Sequence, residues 1–276
     1  MSARFFIDAV PAPRRADDGT TSLEKGLGLL EALSATRGGA GVTELARRLG
    51  QPKSSVARLL LVLSRRGYVW REPDRPVYRI GPRALELTAN ALDELLVVAQ
   101  ARPHLYDLAG RLRHIAGLGV LWGGTAVVVD LVEPSGATPA PLSHEQLVIG
   151  RGAPAYCSSV GKAILAHRPA ADVTRYLDTT PLARRTARTI IDRTALLRQL
   201  ETIRDLGWAV NDGESRPGGT SVAAPIFNDV GEALAAVTVT NTHQPGEAPT
   251  AGIVAAVMEA ARRVSFHLGR HPRAVL

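Results

Sequence analysis

The chain has 276 residues, enough for two domains, with 45% hydrophobic residues and a net charge of +7 from 33 basic and 26 acidic side chains. It has no run of 18 apolar residues, which argues against a membrane span. Its one cysteine, Cys157, excludes an internal disulfide, and 4% aromatic residues are too few for a protein that binds single strands by stacking. The charge is concentrated. Between Arg37 and Arg83, eleven Lys or Arg stand against three acids (Glu44, Glu72 and Asp74), a local balance of +8, while the other 229 residues hold 22 bases and 23 acids. A basic module on a neutral body implies that one part touches phosphate and the other does something else.

Residues 1–20 carry mixed charge, Pro11 and Pro13, and no apolar stretch of secretory length. They read as a flexible tail, and with the lone cysteine they favour a cytoplasmic protein. Thr21 and Glu24 have capping-box spacing, and Leu23, Leu27, Leu30 and Leu33 follow on one stripe, which predicts a first helix over about 22–35. Gly38 to Gly41 break it. Thr43 is the expected N-cap of a second helix ending at Leu49, with Val42, Leu45, Ala46 and Leu49 inward. Gly50-Gln51 makes a turn, and Pro52 suits the first position of a third helix, 53–66. Val56, Leu59, Leu60 and Leu63 form its inner face, and Lys53, Ser54, Ser55 and Arg58 its outer face. Two short helices joined by a tight turn predict a helix-turn-helix. Tyr68 to Glu72 and Val77 to Ile80, around Pro73-Asp74-Arg75-Pro76, predict a hairpin wing. The candidate DNA contacts are Thr43, Lys53, Ser54, Ser55, Arg58, Arg65 and Arg75. The competing reading is a protein-binding module with a solvated basic face.

Residues 84–100 are rich in Ala and Leu, with Leu85, Leu92 and Leu95 at helical spacing; they predict a linker helix, a connector or a dimer contact. Beyond it, Val120 to Trp122, Ala126 to Val132, Val222 to Phe227 and Ala233 to Val239 read as strands, with turns at Gly123-Gly124 and Asn228 to Gly231. Ile190 to Leu206 and Ile253 to Leu268 read as helices. A hairpin without regular βαβ alternation predicts an α+β domain with an antiparallel sheet. Gly161-Lys162 is not a phosphate loop: Tyr156 occupies the first glycine position, and Ala163 replaces the magnesium-binding Ser or Thr. Cys157 and Ser158 could pair with His144 or His167, but no G-x-S-x-G elbow or orienting acid accompanies them, so no catalytic role is expected. His267 and His271 have i, i+4 spacing, yet Gly269 and Pro272 argue against a helix there. No metal or other cofactor is expected.

Three segments give a family resemblance. SLEKGLGLLEAL, VTELARRLGQPKSSVARLLLVLSRRGYV and VYRIGPRALEL resemble the N-terminal domain of the IclR-type transcriptional regulators, the isocitrate lyase regulator family. GRGAPAYCSSVGKAILA, Gly150 to Ala166, and GWAVNDGESRPGGTSVAAPIFNDVGEALAAVTVT, Gly207 to Thr240, resemble its effector domain. The resemblance covers about 22–268. It implies a winged helix-turn-helix, 21–83, a linker helix, 84–100, and a GAF-like effector-binding domain, 101–271, followed by a tail, 272–276. It also implies homodimers or tetramers, palindromic double-stranded operators, and repression or activation governed by a small organic acid. Carried over by motif, the effector residues are Ser159, Val160, Gly161, Asn211, Gly219, Ser221, Thr238 and Thr240. The helix expected to begin near Lys162 would offer unpaired N–H groups of Ser158 to Gly161 to a carboxylate. Many members have a carboxylate at the position of Asn211 and a cysteine at that of Ser221. Losing both leaves an expected pocket with no charge of its own. The alternative is a winged-helix protein whose C-terminal domain serves assembly or partner binding without an effector.

Overall fold

A computed structural model describes residues 21–36, 38–93, 96–135 and 149–269. The expected tails, His144 and His271 lie outside them. The chain divides into two compact units near residue 94.

The first unit contains α1 (Ser22–Ser34), α2 (Val42–Leu49), α3 (Lys53–Arg65), the strands β1 (Val69–Arg71) and β2 (Tyr78–Ile80), and α4 (Pro82–Asp93). The capping box forms: Glu24 N–H donates to the Thr21 hydroxyl at 3.3 Å, and Thr21 N–H to the Glu24 carboxylate at 2.7 Å. Gly50, at φ 61°, takes the left-handed conformation that turns α2 into α3 without a Cβ clash. β1 and β2 pair antiparallel, Val69 opposite Ile80. Ala40 and Tyr78 exchange two backbone bonds, 3.0 and 2.9 Å, which tie this wing to the turn before α2.

Leu29, Leu33, Leu45, Ala46, Val56, Leu60 and Val69 form one core. Here the stripe expected on α1 is corrected. Leu29 is fully buried, whereas Leu23 and Leu27 are 71% and 52% exposed. Five leucines on thirteen residues fit two overlapping stripes, and α2 and α3 pack on only one. Thr43 does not cap α2. The bridge at Ala40 lets the chain turn helical straight after Gly41, so Gly41 is the N-cap and Thr43 an exposed first-turn residue. Pro52 likewise stands at the N-cap of α3, one position earlier than expected.

The second unit contains α5 (Leu96–Leu112), β3 (Ala116–Trp122), β4 (Thr125–Val132), β5 (Gly152–Pro154), a 3-10 turn (Ala155–Cys157), α6 (Ser159–Leu165), α7 (Ala170–Thr179), α8 (Arg193–Leu206), β6 (Ala209–Asp212), β7 (Thr220–Phe227), β8 (Ala233–Thr240) and α9 (Ala251–His267). The 84–100 stretch takes in the end of α4 and the start of α5, and residues 94 and 95 between them lie outside the described residues. α8 starts three residues later than expected because Asp192 caps it, accepting from Ala195 N–H at 2.7 Å.

The sheet is antiparallel in the order β5-β4-β3-β8-β7-β6. α5 and α9 pack together over β3, β7 and β8, and α6, backed by α8, packs over the same strands. Alternation along β8 separates the two layers: Ala236 and Thr238 meet the α6 side, so Val237 and Val239 face the other. Arg102 of α5 makes two 3.0 Å bonds to the buried Asp130 of β4. The fold is α+β. Among the described residues no helix is long and apolar enough to cross a membrane.

Candidate functional site

The α6 face of the sheet holds a cavity of about 240 Å³. β6, β7 and β8 place Asn211, Ser221 and Thr240 in one cross-strand row, Asn211 opposite Ser221 and Ser221 opposite Thr240, so all three share this face. Thr238, two residues before Thr240, joins them. Ser158, Ser159 and Val160 supply the wall from the start of α6. Gly119, at the β3 bulge, lets that wall approach: a Cβ there would lie 2.7 Å from Val160.

Of the eight expected effector residues, Ser159, Val160, Asn211, Ser221, Thr238 and Thr240 line the cavity. Gly161 and Gly219 do not. Gly161 seats α6 on the 3-10 turn, since a Cβ would lie 2.3 Å from Ala155 Cα. Gly219 makes room for Arg216, whose guanidinium carbon would lie 2.6 Å from a Cβ. The helix-start expectation is also corrected. α6 begins at Ser159, with Ser158 as N-cap, and the Gly161 N–H is spent on the Ser158 hydroxyl at 3.0 Å.

The polar groups are already ordered among themselves. Ser159 and Ser221 hydroxyls lie 2.7 Å apart, and Ser159 lies 3.4 Å from Thr238, which donates to the Val222 carbonyl at 3.0 Å. Thr238 has one hydroxyl proton and it is used, so this trio offers at most one proton to a guest. The Asn211 amide donates to Ser215 at 3.0 Å and its oxygen accepts Glu214 N–H at 2.9 Å. Asn211 therefore shapes the 212–219 loop.

The expectation of an uncharged pocket fails. Arg151, Arg185 and Arg216 line the cavity and no Asp or Glu does. Arg185 is steered by a 3.0 Å bond from Nε to the Ser215 carbonyl. The half-buried Arg216 is pushed below the usual arginine range by burial. Arg185 belongs to a segment stitched onto the same loop. There buried Thr189 accepts from Arg185 N–H and Thr186 N–H and donates to the Glu214 carbonyl at 2.7 Å. These arginines lie in three separate loops, where sequence alone reads arginine as solvated.

Beside the cavity, Lys162 and Glu214 form a buried ion pair, 0% and 4% exposed. Burial pushes the lysine below its ordinary range, and Glu214 opposes that. One oxygen of Glu214 has no hydrogen-bond partner among the described residues.

Cys157 is fully buried, and burial pushes its thiol up to about 11. His167 turns its Nδ1 to the Ala163 carbonyl at 3.0 Å and its ring to Phe227. The thiolate is the reactive form, so native Cys157 should resist iodoacetamide at pH of about 8 and react once the chain is unfolded. Rapid labelling of the folded protein, read by mass spectrometry, would contradict this burial.

In the first unit, Lys53, Ser54, Arg58 and Arg65 are exposed along α3 and Ser55 is half-buried. Pro52 brings no capping side chain, so the first turn of this 13-residue helix keeps N–H groups for an outside anion. Arg75 is exposed at the wing tip, 3.8 Å from Glu72. Thr43 lies in a groove between α2 and the wing that also contains Arg47 and Arg71. Neither arginine was singled out by spacing, because the groove forms only when the wing folds back.

Comparison with known proteins places both units. Residues 22–73 match the IclR helix-turn-helix domain, and residues 89–266 match the bacterial transcriptional regulator IclR C-terminal domain. The chain is 33% identical over 260 residues to the HTH-type transcriptional regulator BhcR of Paracoccus denitrificans, covering 92% of this chain and 89% of that one. It is 30% identical to the Pca regulon regulatory protein of Pseudomonas putida, covering 82% and 75%. The structure is similar to that of the IclR transcriptional regulator of Alicyclobacillus acidocaldarius, with a TM-score of 0.75 and 27% identity over 90% of this chain and 98% of that one.

Proposed function

Because the chain belongs to the IclR family of bacterial transcriptional regulators, we propose that it is a cytoplasmic, homo-oligomeric regulator whose DNA binding responds to a small organic acid held in the cavity beneath α6. The observation that carries the effector reading is the cavity lining: hydroxyls and three arginines with no acid. Burying a carboxylate without partners is costly, and charge-assisted bonds from guanidinium groups offset that cost. Ser159, Ser221, Thr238 and Thr240 contact the polar body of the acid, Val160 packs on its carbon skeleton, and Gly161 and Gly219 act through the packing described above. Asn211 positions the loop. The apolar lining of Ala126, Val127 and Val128 limits the ligand to a small carbon frame.

On DNA, α3 enters the major groove with Arg58 toward the bases and Lys53, Ser54 and Ser55 toward phosphate. Arg65, Thr43 and Arg75 touch backbone, the last from the wing. Two copies read a palindrome. Arg58→Ala should weaken binding to the selected operator by roughly 1–3 kcal/mol, the range for one base contact. The test is to select operator sequences from random duplexes with the full chain, then to titrate the complex with a panel of small acids by fluorescence anisotropy. The expected result is a defined palindrome whose affinity changes with one acid and falls on Arg58→Ala. Sequence-independent binding indifferent to every acid would favour a C-terminal domain used for assembly alone.

A further inference from the structure

Among the described residues, the charges around the cavity do not balance. Lys162 and Glu214 neutralise each other. Asp212 is engaged by Arg188 at 2.5 Å and by the Gly246 N–H at 2.8 Å. Arg151, the third arginine of the lining, is not free. That leaves Arg185 and Arg216, neither paired with a carboxylate among the described residues. They are brought together through one loop. Arg185 is bonded to the carbonyl of Ser215, and Arg216 is the next residue, held over Gly219 where any side chain would collide with its guanidinium. Arg216 is half-buried, so water compensates it only in part. A singly charged ligand would neutralise one of the two cations and leave the other unmet. The hydroxyl trio cannot supply a second anion-binding arm, because it has at most one proton to give.

Resting on the effector reading above, we infer that the ligand is a small dianion, with its two negative charges met by Arg216 and Arg185. A dicarboxylate and a phosphomonoester share this chemistry. The exposed Arg185 meets the ligand at the cavity mouth and the half-buried Arg216 meets it inside, which makes Arg216 the residue that discriminates charge.

The test is calorimetry on the full chain with two- to six-carbon monocarboxylates, dicarboxylates and phosphomonoesters matched in length. A dianion should bind at least about tenfold tighter than its matched monoanion, the increment expected of one further charge-assisted bond. Tightest binding by a dicarboxylate or by a phosphomonoester supports the inference and identifies which source applies. Arg216→Gln should abolish the preference, and Arg216→Lys, which keeps the charge, should retain most of it, with the melting temperatures of both near the parent's. A monoanion that binds as tightly as its dianion partner, or a preference that survives Arg216→Gln, overturns the inference and leaves the acid-sensing pocket standing. Binding of no acid at all overturns the pocket reading with it.

Discussion

Lys162→Met should lower the unfolding free energy by about 3–5 kcal/mol, the usual loss when one member of a buried ion pair is removed. The variant leaves the Glu214 carboxylate inside the protein with neither its cation nor water. One of its oxygens already lacks a partner among the described residues, so nothing nearby takes over. The loss reaches the cavity as well, because Glu214 sits in the loop that carries Ser215 and Arg216, donates its N–H to Asn211 and accepts from Thr189 at its carbonyl. A second substitution separates charge from packing. Lys162→Met with Glu214→Leu removes both charges and should recover most of the stability, since apolar pairs of similar volume often replace buried ion pairs at little cost. Urea unfolding followed by circular dichroism measures both. A single variant as stable as the parent would mean that the pair is hydrated in solution.

Operator affinity should fall steeply with salt. In each DNA-binding module Arg48, Arg79 and Arg83 are held by Glu44, Glu72 and Glu86, while Arg47, Lys53, Arg58, Arg65, Arg66 and Arg71 carry no ion pair among the described residues. If two modules share an operator and half of those bases neutralise phosphates, the slope of log K against log salt has a magnitude of about 5 or more. Affinity then drops about a thousandfold between roughly 50 and 200 mM salt. Anisotropy titrations at several salt concentrations measure the slope. A value near zero would exclude phosphate neutralisation as the basis of binding.

The DNA-binding half was the more legible because its signals are local. The capping box at Thr21 and Glu24, the glycine turn at Gly50 and the charge cluster each lie within a few residues, and each fixes one piece of backbone. Where the local pattern was degenerate, as with the leucines of α1, only tertiary packing chose Leu29 over Leu23 and Leu27. The hydroxyl lining was legible for a different reason: alternation along a strand puts Thr238 and Thr240 on one face, and the family resemblance supplied the rest. The arginines were not. Arg151, Arg185 and Arg216 come together only after three loops close over the sheet. The Lys162–Glu214 pair spans 52 residues, and in the sequence Lys162 drew notice only as part of a failed phosphate loop. Sequence thus indicated the shape of the pocket but not its charge.

The two ends of the sheet bear on how copies of this protein can meet. β5 has three residues and ends in Pro154, which has no N–H to donate, and β6 has four. Short borders, one closed by proline, give a foreign strand little to pair with. Six strands rich in Val, Ile and Ala would otherwise be a template for unlimited lateral growth. Among the described residues, these borders leave the sheet no long open edge from which lateral growth could start.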